Sequence, residues 1–235
     1  MAAKLGPSII NNGLVLDLDA ADKNSYIGSG TSWKDMTGNG NSGTLVNGPS
    51  FSSANGGSIV FDGVDDFVQL KFASRILPLK NHALEVWFKS NGLATNMSAG
   101  GLLMVHYGLY IRFVSSGQVA YQVIGYSGVP IVNYVTTSSA LALNDNKWHN
   151  VVCTLFDNVS YGIYVDGVLR VSGIPVQSWD GTSQWAGINT VVGNDLNNNN
   201  YFFQGSIAVA KVYNIGLTAN QVLQNFNAQK SRFGL

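Results

Sequence analysis

The segment Lys147–Val171, KWHNVVCTLFDNVSYGIYVDGVLRV, decides the fold class of this chain. In its second half, two apolar runs meet across Asp166-Gly167. An Asp-Gly pair between apolar runs predicts a β-hairpin, because a type I′ turn needs positive φ at both central residues. The predicted register places Val165 beside Val168, so that apolar side chains pair across the two strands.

The run before this hairpin, Trp148–Phe156, is apolar at both alternating sets of positions. Successive side chains of a strand point to opposite faces, so such a strand is covered on both sides. We therefore expect it in the middle of a two-layer structure.

Composition limits the function classes. The chain has 235 residues, zero formal net charge and 46% hydrophobic residues. Charged residues make up only 11%, against about 25% in an average soluble domain. Binding to nucleic acid or to an anionic membrane is not indicated, because both require a basic patch. A surface of neutral polar groups suits a protein that packs into an assembly or contacts uncharged ligands such as sugars.

Features of export and membrane insertion are absent from the sequence. Cys153 is the only cysteine, so no disulfide can form within the chain. The N-terminal segment MAAKLGPSII lacks the apolar run of a signal peptide, and no segment approaches the roughly 20 apolar residues of a membrane span. We expect neither secretory export nor insertion into a membrane.

The rest of the chain predicts an all-β fold. Residues 20–57 are rich in Gly, Asn and Ser, with Trp33 and Leu45 as isolated anchors. Ser58–Phe61 and Phe67–Leu70 flank an Asp-rich turn and predict a second hairpin. Further strand-like runs are Gly13–Asp19, Ala83–Lys89, Leu102–Val105, Leu109–Val114, Val119–Ile124, Ile131–Thr136, Thr190–Val192 and Phe203–Tyr213. About a dozen short strands with regular turn signals and no linker predict one sandwich or barrel domain over residues 1–235.

The C-terminal segment follows a different pattern. Thr218 as N-cap with Gln221 three residues later forms a capping box. Val222, Leu223 and Phe226 then make an apolar stripe at helical spacing. We expect a short helix at about 219–229 that docks on the sandwich, followed by a basic tail, Lys230–Phe233, that is either frayed or seated against a neighbouring molecule.

The residues argue against an enzyme. Glycoside hydrolysis normally requires two carboxylic acids, and Glu85 is the only glutamate in the chain. His149 and Cys153 lie four residues apart in a strand, about 13 Å by strand rise, which is too far for one to activate the other. His82 and His106 show no zinc-binding spacing with His149.

Calcium is the metal that the loops could bind, because it prefers oxygen ligands from Asp, Asn and backbone carbonyls. The candidate ligands are Asp35, Asp62, Asp65, Asp66 and Asp195. The alternative is that these residues only form turns through local hydrogen bonds to the backbone.

Aromatic residues in polar loops could stack on sugar rings. The candidates are Tyr126, Trp179, Trp185 and Tyr201. The alternatives are that they pin loops onto the sandwich or form subunit contacts, where aromatic residues are enriched.

Several separated motifs give the chain a family resemblance. Trp148-His149-x-Val151-Val152, Tyr164-Val165-Asp166-Gly167, Phe203-x-Gly205-x-Ile207 and Ile59-Val60-Phe61-Asp62-Gly63 occur in the order seen in laminin-G-like domains. The chain thus resembles the concanavalin A-like lectin/glucanase superfamily, which implies a jelly-roll sandwich of two antiparallel sheets. Family members usually carry acidic residues in an Ile-Asp-Glu-Val segment, whereas this chain has Ile207-Ala208-Val209-Ala210.

A looser resemblance links the chain to proteins of tailed bacteriophages, through its length and its C-terminal segment Asn225–Phe233. It implies a non-enzymatic structural or adhesion protein of a phage particle, either a capsid decoration protein or a tail or fibre component. The expected partners are viral capsid or tail proteins, a homo-oligomer and a cell-surface glycan, with the virion as the location. The alternatives are a soluble lectin-like carbohydrate-binding module and, third, a glucanase.

Overall fold

The computed structural model describes residues 7–71, 80–93, 98–106, 109–114, 117–124, 130–177, 190–195 and 201–235. The strands of this part of the chain are β1 (Leu14–Asp19), β2 (Ser32–Trp33), β3 (Gly43–Val46), β4 (Ser50–Ser52), β5 (Ser58–Asp62), β6 (Phe67–Leu70), β7 (Asn81–Lys89), β8 (Ala99–His106), β9 (Leu109–Val114), β10 (Gln118–Ile124), β11 (Pro130–Thr136), β12 (Trp148–Phe156), β13 (Ser160–Val165), β14 (Val168–Gly173), β15 (Val191–Val192) and β16 (Gln204–Tyr213). One α-helix, α1 (Ala219–Gln229), and short 3₁₀ turns at Ala54–Gly56, Ser139–Leu141 and Lys230–Phe233 complete the described elements.

Within these residues the strands form two eight-stranded antiparallel sheets, as an all-β sandwich requires. The first sheet has the order β14-β13-β12-β7-β16-β5-β4, and β1 also pairs with β16. The second sheet has the order β11-β10-β9-β8-β15-β6-β3-β2. A single large apolar core fills the space between the two sheets.

The segment that predicts the fold class lies where we expected it. β12 is flanked by β7 and β13, away from both edges of the first sheet. Asp166 and Gly167 have φ values of 53° and 77°, and Val165 pairs with Val168, so the predicted hairpin is confirmed. Cys153 on one face of β12 joins the core between the sheets, whereas Val152 on the other face packs under the C-terminal part of the chain.

Aromatic rings dominate the centre of the core. Phe88 from the first sheet lies 5.6 Å from Phe113 of the second sheet, measured between ring centroids. Offset and edge-to-face pairs of this kind stabilise a core beyond the area that they bury. Trp33 is fully buried and Leu45 nearly so, which confirms both as anchors of the glycine-rich region.

The second predicted hairpin is wrong. β5 pairs with β4 and β16 in the first sheet, whereas β6 pairs with β3 and β15 in the second. Local hydrogen bonds bend the connecting loop: Val64 N–H donates to Asp62 Oδ1 at 2.8 Å, and Asp62 N–H donates to Asp66 Oδ2 at 3.1 Å. The loop therefore carries the chain from one sheet to the other.

The predicted helix is confirmed together with its capping box. Gln221 N–H donates to the hydroxyl of Thr218, and Thr218 N–H donates to Gln221 Oε1 at 2.8 Å. Val222 is fully buried, but Leu223 remains 45% exposed, so the apolar stripe is narrower than predicted. No helix in the described parts of the chain has the length and apolar character needed to cross a membrane.

The basic tail is not frayed. Lys230–Phe233 forms a 3₁₀ turn, and the ring of Phe233 stacks on Trp87 with 4.1 Å between centroids. Arg232 donates hydrogen bonds to Asp19 Oδ1 and to the carbonyl of Gly57, both at 2.6 Å. This tail therefore seats against its own chain, because an aromatic ring and a guanidinium both find partners there.

Candidate ligand-binding face of the second sheet

Strand β9 carries polar and aromatic side chains on the face of the second sheet that points away from the core. Ile111 and Phe113 enter the core, so the alternating residues Tyr110 and Arg112 lie on the outer face. Tyr110 pairs with Gln122 of β10 and donates its hydroxyl hydrogen bond to Gln122 Oε1. The outer face thus has a hydrogen-bonded aromatic group at its centre.

Arg112 is the central charged group of this face. Its Nε forms a buried ion pair with the Asp195 carboxylate. Its guanidinium carbon lies 3.9 Å from the ring centroid of Tyr110 and 5.6 Å from that of Tyr201, which is cation–π geometry. The Nη2 atom of Arg112 is buried and has no hydrogen-bond partner among the described residues. Buried polar groups without partners are uncommon, so this atom is a hydrogen-bond donor whose capacity the described residues leave unmet.

The backbone explains how Asp195 and Tyr201 reach Arg112. Gly101 of β8 pairs with Arg112 of β9. The carbonyl of Tyr201 accepts hydrogen bonds from the N–H groups of Gly101, at 2.9 Å, and of Asp195, at 3.2 Å. A Cβ at position 101 would collide with the backbone of Asn194, so glycine is required for this close approach.

Tyr134 of β11 completes the face and is its most accessible aromatic residue, with 45% of its surface exposed. Burial raises the pKa of its phenol, the guanidinium of Arg112 lowers it, and Tyr201 and Asp195 raise it further, with a net increase. The phenol is therefore protonated at neutral pH and can donate a hydrogen bond. We call Tyr110, Arg112, Tyr134, Asp195 and Tyr201 the arginine–tyrosine cluster.

Sequence reasoning found part of this cluster. Tyr201 was predicted as a sugar-stacking residue, and it lies beside Arg112. The predicted partners Tyr126, Trp179 and Trp185 lie outside the described residues. Arg112 was missed, although its alternation with apolar neighbours in β9 places it on the outer face.

Three of the five predicted calcium ligands come together. The carboxylate oxygens of Asp62, Asp65 and Asp66 lie within 4.8 Å of one another in the loop between the two sheets. Burial raises the pKa of Asp66, the backbone N–H of Asp62 lowers it, and the neighbouring carboxylates of Asp62 and Asp65 raise it further, with a net increase. Like charges at this spacing favour a bound cation or a proton.

The other two predicted ligands have different partners. Asp35 accepts hydrogen bonds from the N–H groups of Asp17, Thr37 and Asn41, so it organises its own loop. Asp195 is paired with Arg112. The bonds from Thr37 and Asn41 are of the local turn-forming kind that we gave as the alternative for Asp35.

Glu85 is unsuited to catalysis at an accessible site. Its side chain is fully buried on the face of the first sheet that lies under α1. Asn150 Nδ2 donates to its Oε1 at 3.1 Å, and Asn225 Nδ2 of α1 donates to its Oε2 at 2.8 Å. Both carboxylate oxygens therefore have protein partners, and the helix lies between them and solvent.

The imidazole of His149 lies between two carboxylates. Its Nδ1 lies 2.9 Å from Asp166 Oδ2, and its Nε2 lies 3.1 Å from Asp145 Oδ1. Burial lowers the pKa of the imidazole, but the two carboxylates outweigh it and the net pKa is raised. Cys153 is fully buried, and burial raises the pKa of its thiol well above the usual range, so it is a packing residue.

Three solved structures are similar to most of this chain. The binding domain of botulinum neurotoxin DC in complex with SialylT aligns over 94% of this chain and 52% of its own, with a TM-score of 0.69 and 14% identity. The same neurotoxin's binding domain in complex with rat synaptotagmin II aligns over 92% and 52%, with a TM-score of 0.69 and 14% identity. The binding domain of Paraclostridial Mosquitocidal Protein 1 aligns over 92% and 52%, with a TM-score of 0.67 and 15% identity.

These structures show the fold alone, because their sequences differ so much from this one. The chain spans about half the length of each of them. A comparison with curated proteins finds no match.

The sequence itself matches a family model over residues 62–223, which is more than half of the chain. Together with the two antiparallel sheets, this match confirms the predicted concanavalin A-like jelly roll. The chain therefore belongs to this laminin-G-like family of the concanavalin A-like lectin/glucanases superfamily.

Proposed function

We propose that the arginine–tyrosine cluster binds a carbohydrate and that the protein is a non-enzymatic, lectin-like binding module. The observation that carries the proposal is the buried Nη2 of Arg112, which has no hydrogen-bond partner in the described part of the chain although the guanidinium lies beside two tyrosine rings. A sugar supplies what this face lacks, since a ring hydroxyl can accept from Nη2 while an apolar C–H face rests on an aromatic ring. Binding sites commonly combine aromatic walls with a few placed polar groups.

Tyr134 is the residue that a ligand can reach. Its ring is partly exposed, and its protonated phenol adds a hydrogen-bond donor. Arg112 is fixed by Asp195 and Tyr110, so binding would not need to order its long side chain. The cluster is therefore preorganised around one accessible aromatic ring.

The comparisons support a binding role rather than an enzymatic one. The similar structures are described as binding domains, one in complex with SialylT and one with a synaptotagmin. A cell-surface glycan is thus the partner class that we favour, and SialylT makes sialylated glycans a sensible group to include in the test.

A glycan array with neutral and sialylated oligosaccharides tests the proposal. Tyr134→Ala removes the accessible ring, and Tyr134→Phe is the matched control that removes only the hydroxyl. We expect at least tenfold weaker binding for Tyr134→Ala, roughly the effect of losing one well-placed contact, and a smaller loss for Tyr134→Phe. No binding to any glycan, or equal binding by the Ala variant, would contradict the proposal.

A structural role in a phage particle is the second candidate. Its structural support is the edge strand β14, whose side chains Val168 and Leu169 are exposed, as is the following Ile174. Exposed apolar groups beside unpaired backbone at a sheet edge favour contact with another chain. Light scattering of the purified protein and its co-purification with virions test this role. A monomer that is absent from virions would exclude it.

The non-enzymatic assignment has its own test. Glu85, the only glutamate, is the candidate catalytic acid for a glucanase role, and both of its carboxylate oxygens are hydrogen-bonded inside the protein. We expect no turnover of β-glucan by the unmodified protein. Turnover that disappears in Glu85→Gln would overturn the assignment.

Calcium remains a proposal, and Asp62, Asp65 and Asp66 are the residues that would hold it. Clustered carboxylate oxygens are the ligands that calcium prefers. A melting temperature that rises with added calcium and falls with a chelator would support the site. If the melting temperature of Asp65→Asn responds to calcium and chelator as strongly as that of the unmodified protein, Asp65 is not a ligand and the ion binds elsewhere.

A further inference from the structure

A polar cleft lies where the N-terminal segment, β1 and the C-terminal end of α1 meet. It consists of two adjoining cavities of about 310 and 440 Å³, which share Asp19, Ala228 and Gln229 as lining residues. The smaller cavity also reaches Asp17 and Lys211. This cleft belongs to the first sheet, so it is separate from the arginine–tyrosine cluster of the second sheet.

Charged residues line the floor of the smaller cavity in a cross-strand row. Asp17 of β1 pairs with Lys211 of β16, and Lys211 pairs with Glu85 of β7. The Lys211 side chain is 1% exposed, and its Nζ donates to Gln229 Oε1 at 3.1 Å. Gln229 Oε1 also accepts from Trp87 Nε1 at 3.0 Å, which fixes the lysine contact in place.

Asp17 and Lys211 face each other across a gap. Asp17 Oδ1 lies 3.9 Å from Lys211 Nζ, which is longer than a hydrogen bond, and this buried oxygen has no hydrogen-bond partner among those of residues 7–235 that the structure describes. Burial raises the pKa of Asp17, Lys211 lowers it, and nearby carboxylates raise it further, with a net increase. The described residues therefore supply no hydrogen-bond donor to Asp17 Oδ1.

The chemistry of this gap selects one kind of ligand group. Lys211 would repel an ammonium group placed there, and Asp17 would repel a carboxylate. A hydroxyl avoids both conflicts, because it donates to Asp17 Oδ1 and accepts from Lys211 Nζ. Hydrogen bonds of about 2.8 Å to both atoms close a triangle over the 3.9 Å separation.

We propose that this cleft binds a small uncharged polyol, such as a monosaccharide, with one hydroxyl bridging Asp17 and Lys211. The cavity volume is in the range of small-molecule sites. Pro7 and Ile9 provide apolar wall beside these polar groups. The inference does not depend on the proposed function, because it uses a different face and different residues.

Amide chemical shifts in an NMR titration test the proposal with glycerol, a panel of neutral monosaccharides, D-glucosamine and D-gluconate. We expect saturable shifts for residues around Asp17 and Gln229 with at least one neutral compound, and weaker binding of the two charged analogues. Shifts with no neutral compound would mean that only water occupies the cleft and would overturn the proposal. Equal binding of the charged analogues would overturn it as well.

Two variants locate the site. Asp17→Leu removes the acceptor and should weaken binding at least about tenfold, since hydrogen bonds to charged groups are among the stronger ones. Ala228→Leu adds bulk to the wall that both cavities share without changing a charge, and it should weaken binding at least about tenfold. It is the second test of the site if Asp17→Leu does not fold. Leu223→Ala, on the exposed side of the same helix, is the control. Unchanged affinity in Ala228→Leu would contradict the proposed location.

Discussion

The outer faces of the two sheets are used differently. On the first sheet, the rings of Phe226 and Phe233 stack on Trp87, so the C-terminal part of the chain covers its own sheet. On the second sheet, one guanidinium nitrogen of the buried Arg112 has no hydrogen-bond partner within the described segments, and Tyr134 remains accessible. Around Trp87 the chain closes the first sheet with its own side chains, which contributes stability, whereas a place with unmet hydrogen-bonding capacity, such as Arg112 on the second sheet or Asp17 on the first, is suited to binding.

The largest effect is expected where the first sheet buries a charge. Glu85→Ala leaves the amides of Asn150 and Asn225 without their carboxylate acceptor. Removing one member of a buried polar network typically costs about 3 kcal/mol or more of the free energy of unfolding. Urea denaturation measures this loss, and Glu85→Gln, which keeps one acceptor oxygen, should lose less. Equal stability of Glu85→Ala and the unmodified protein would contradict a stabilising role for the buried carboxylate.

The aromatic cover of the first sheet comes next. Phe233→Ala removes the ring that stacks on Trp87 at 4.1 Å and should lower the free energy of unfolding by about 3 kcal/mol. The matched control is Leu223→Ala, because Leu223 is exposed and should change stability by less than about 0.5 kcal/mol. A similar melting temperature for the two variants would show that the tail does not cover the sheet.

The helix cap should have a smaller effect. Thr218→Ala removes one half of the capping box and should cost about 1 kcal/mol. Thr218→Ser keeps the hydroxyl and serves as the control. If both variants unfold at the same denaturant concentration, the capping box does not stabilise the helix α1 that lies on the first sheet.

The smallest effect concerns pH. The folded-state pKa of His149 is raised by the carboxylates of Asp166 and Asp145 against the effect of burial, so its contribution is fully present below its unfolded pKa, about 6.5. The contribution is lost as the pH rises through the higher folded-state pKa. We expect about 0.5 kcal/mol less stability on the alkaline side of this range, measured by denaturation across pH 5–9. His149→Gln should flatten this dependence, and an unchanged profile would contradict the assignment.

The predictable parts of the fold depend on residues close together in the sequence. The Asp166-Gly167 turn and the capping box of Thr218 and Gln221 are local patterns with a direct backbone consequence, and both are confirmed. The hairpin predicted around Asp62 is wrong, because local strand signals do not reveal which sheet each strand joins.

The candidate site could be predicted only in part. Tyr201 and Asp195 were found as loop residues, but the partner that unites them, Arg112, is 83 residues from Asp195 along the chain. The stacking of Phe233 on Trp87 is likewise a contact between distant segments. Such pairings follow from sheet order, which no single segment specifies.

One measurement tests the contrast between the two faces most directly. Glycan affinity and melting temperature are measured for Tyr134→Ala on the second sheet and Phe233→Ala on the first. We predict that Tyr134→Ala loses glycan binding at least about tenfold with little change in melting temperature, and that Phe233→Ala melts at a lower temperature but keeps its affinity while folded. Retained glycan binding in a folded Tyr134→Ala variant would contradict the assignment of the binding function to the second sheet.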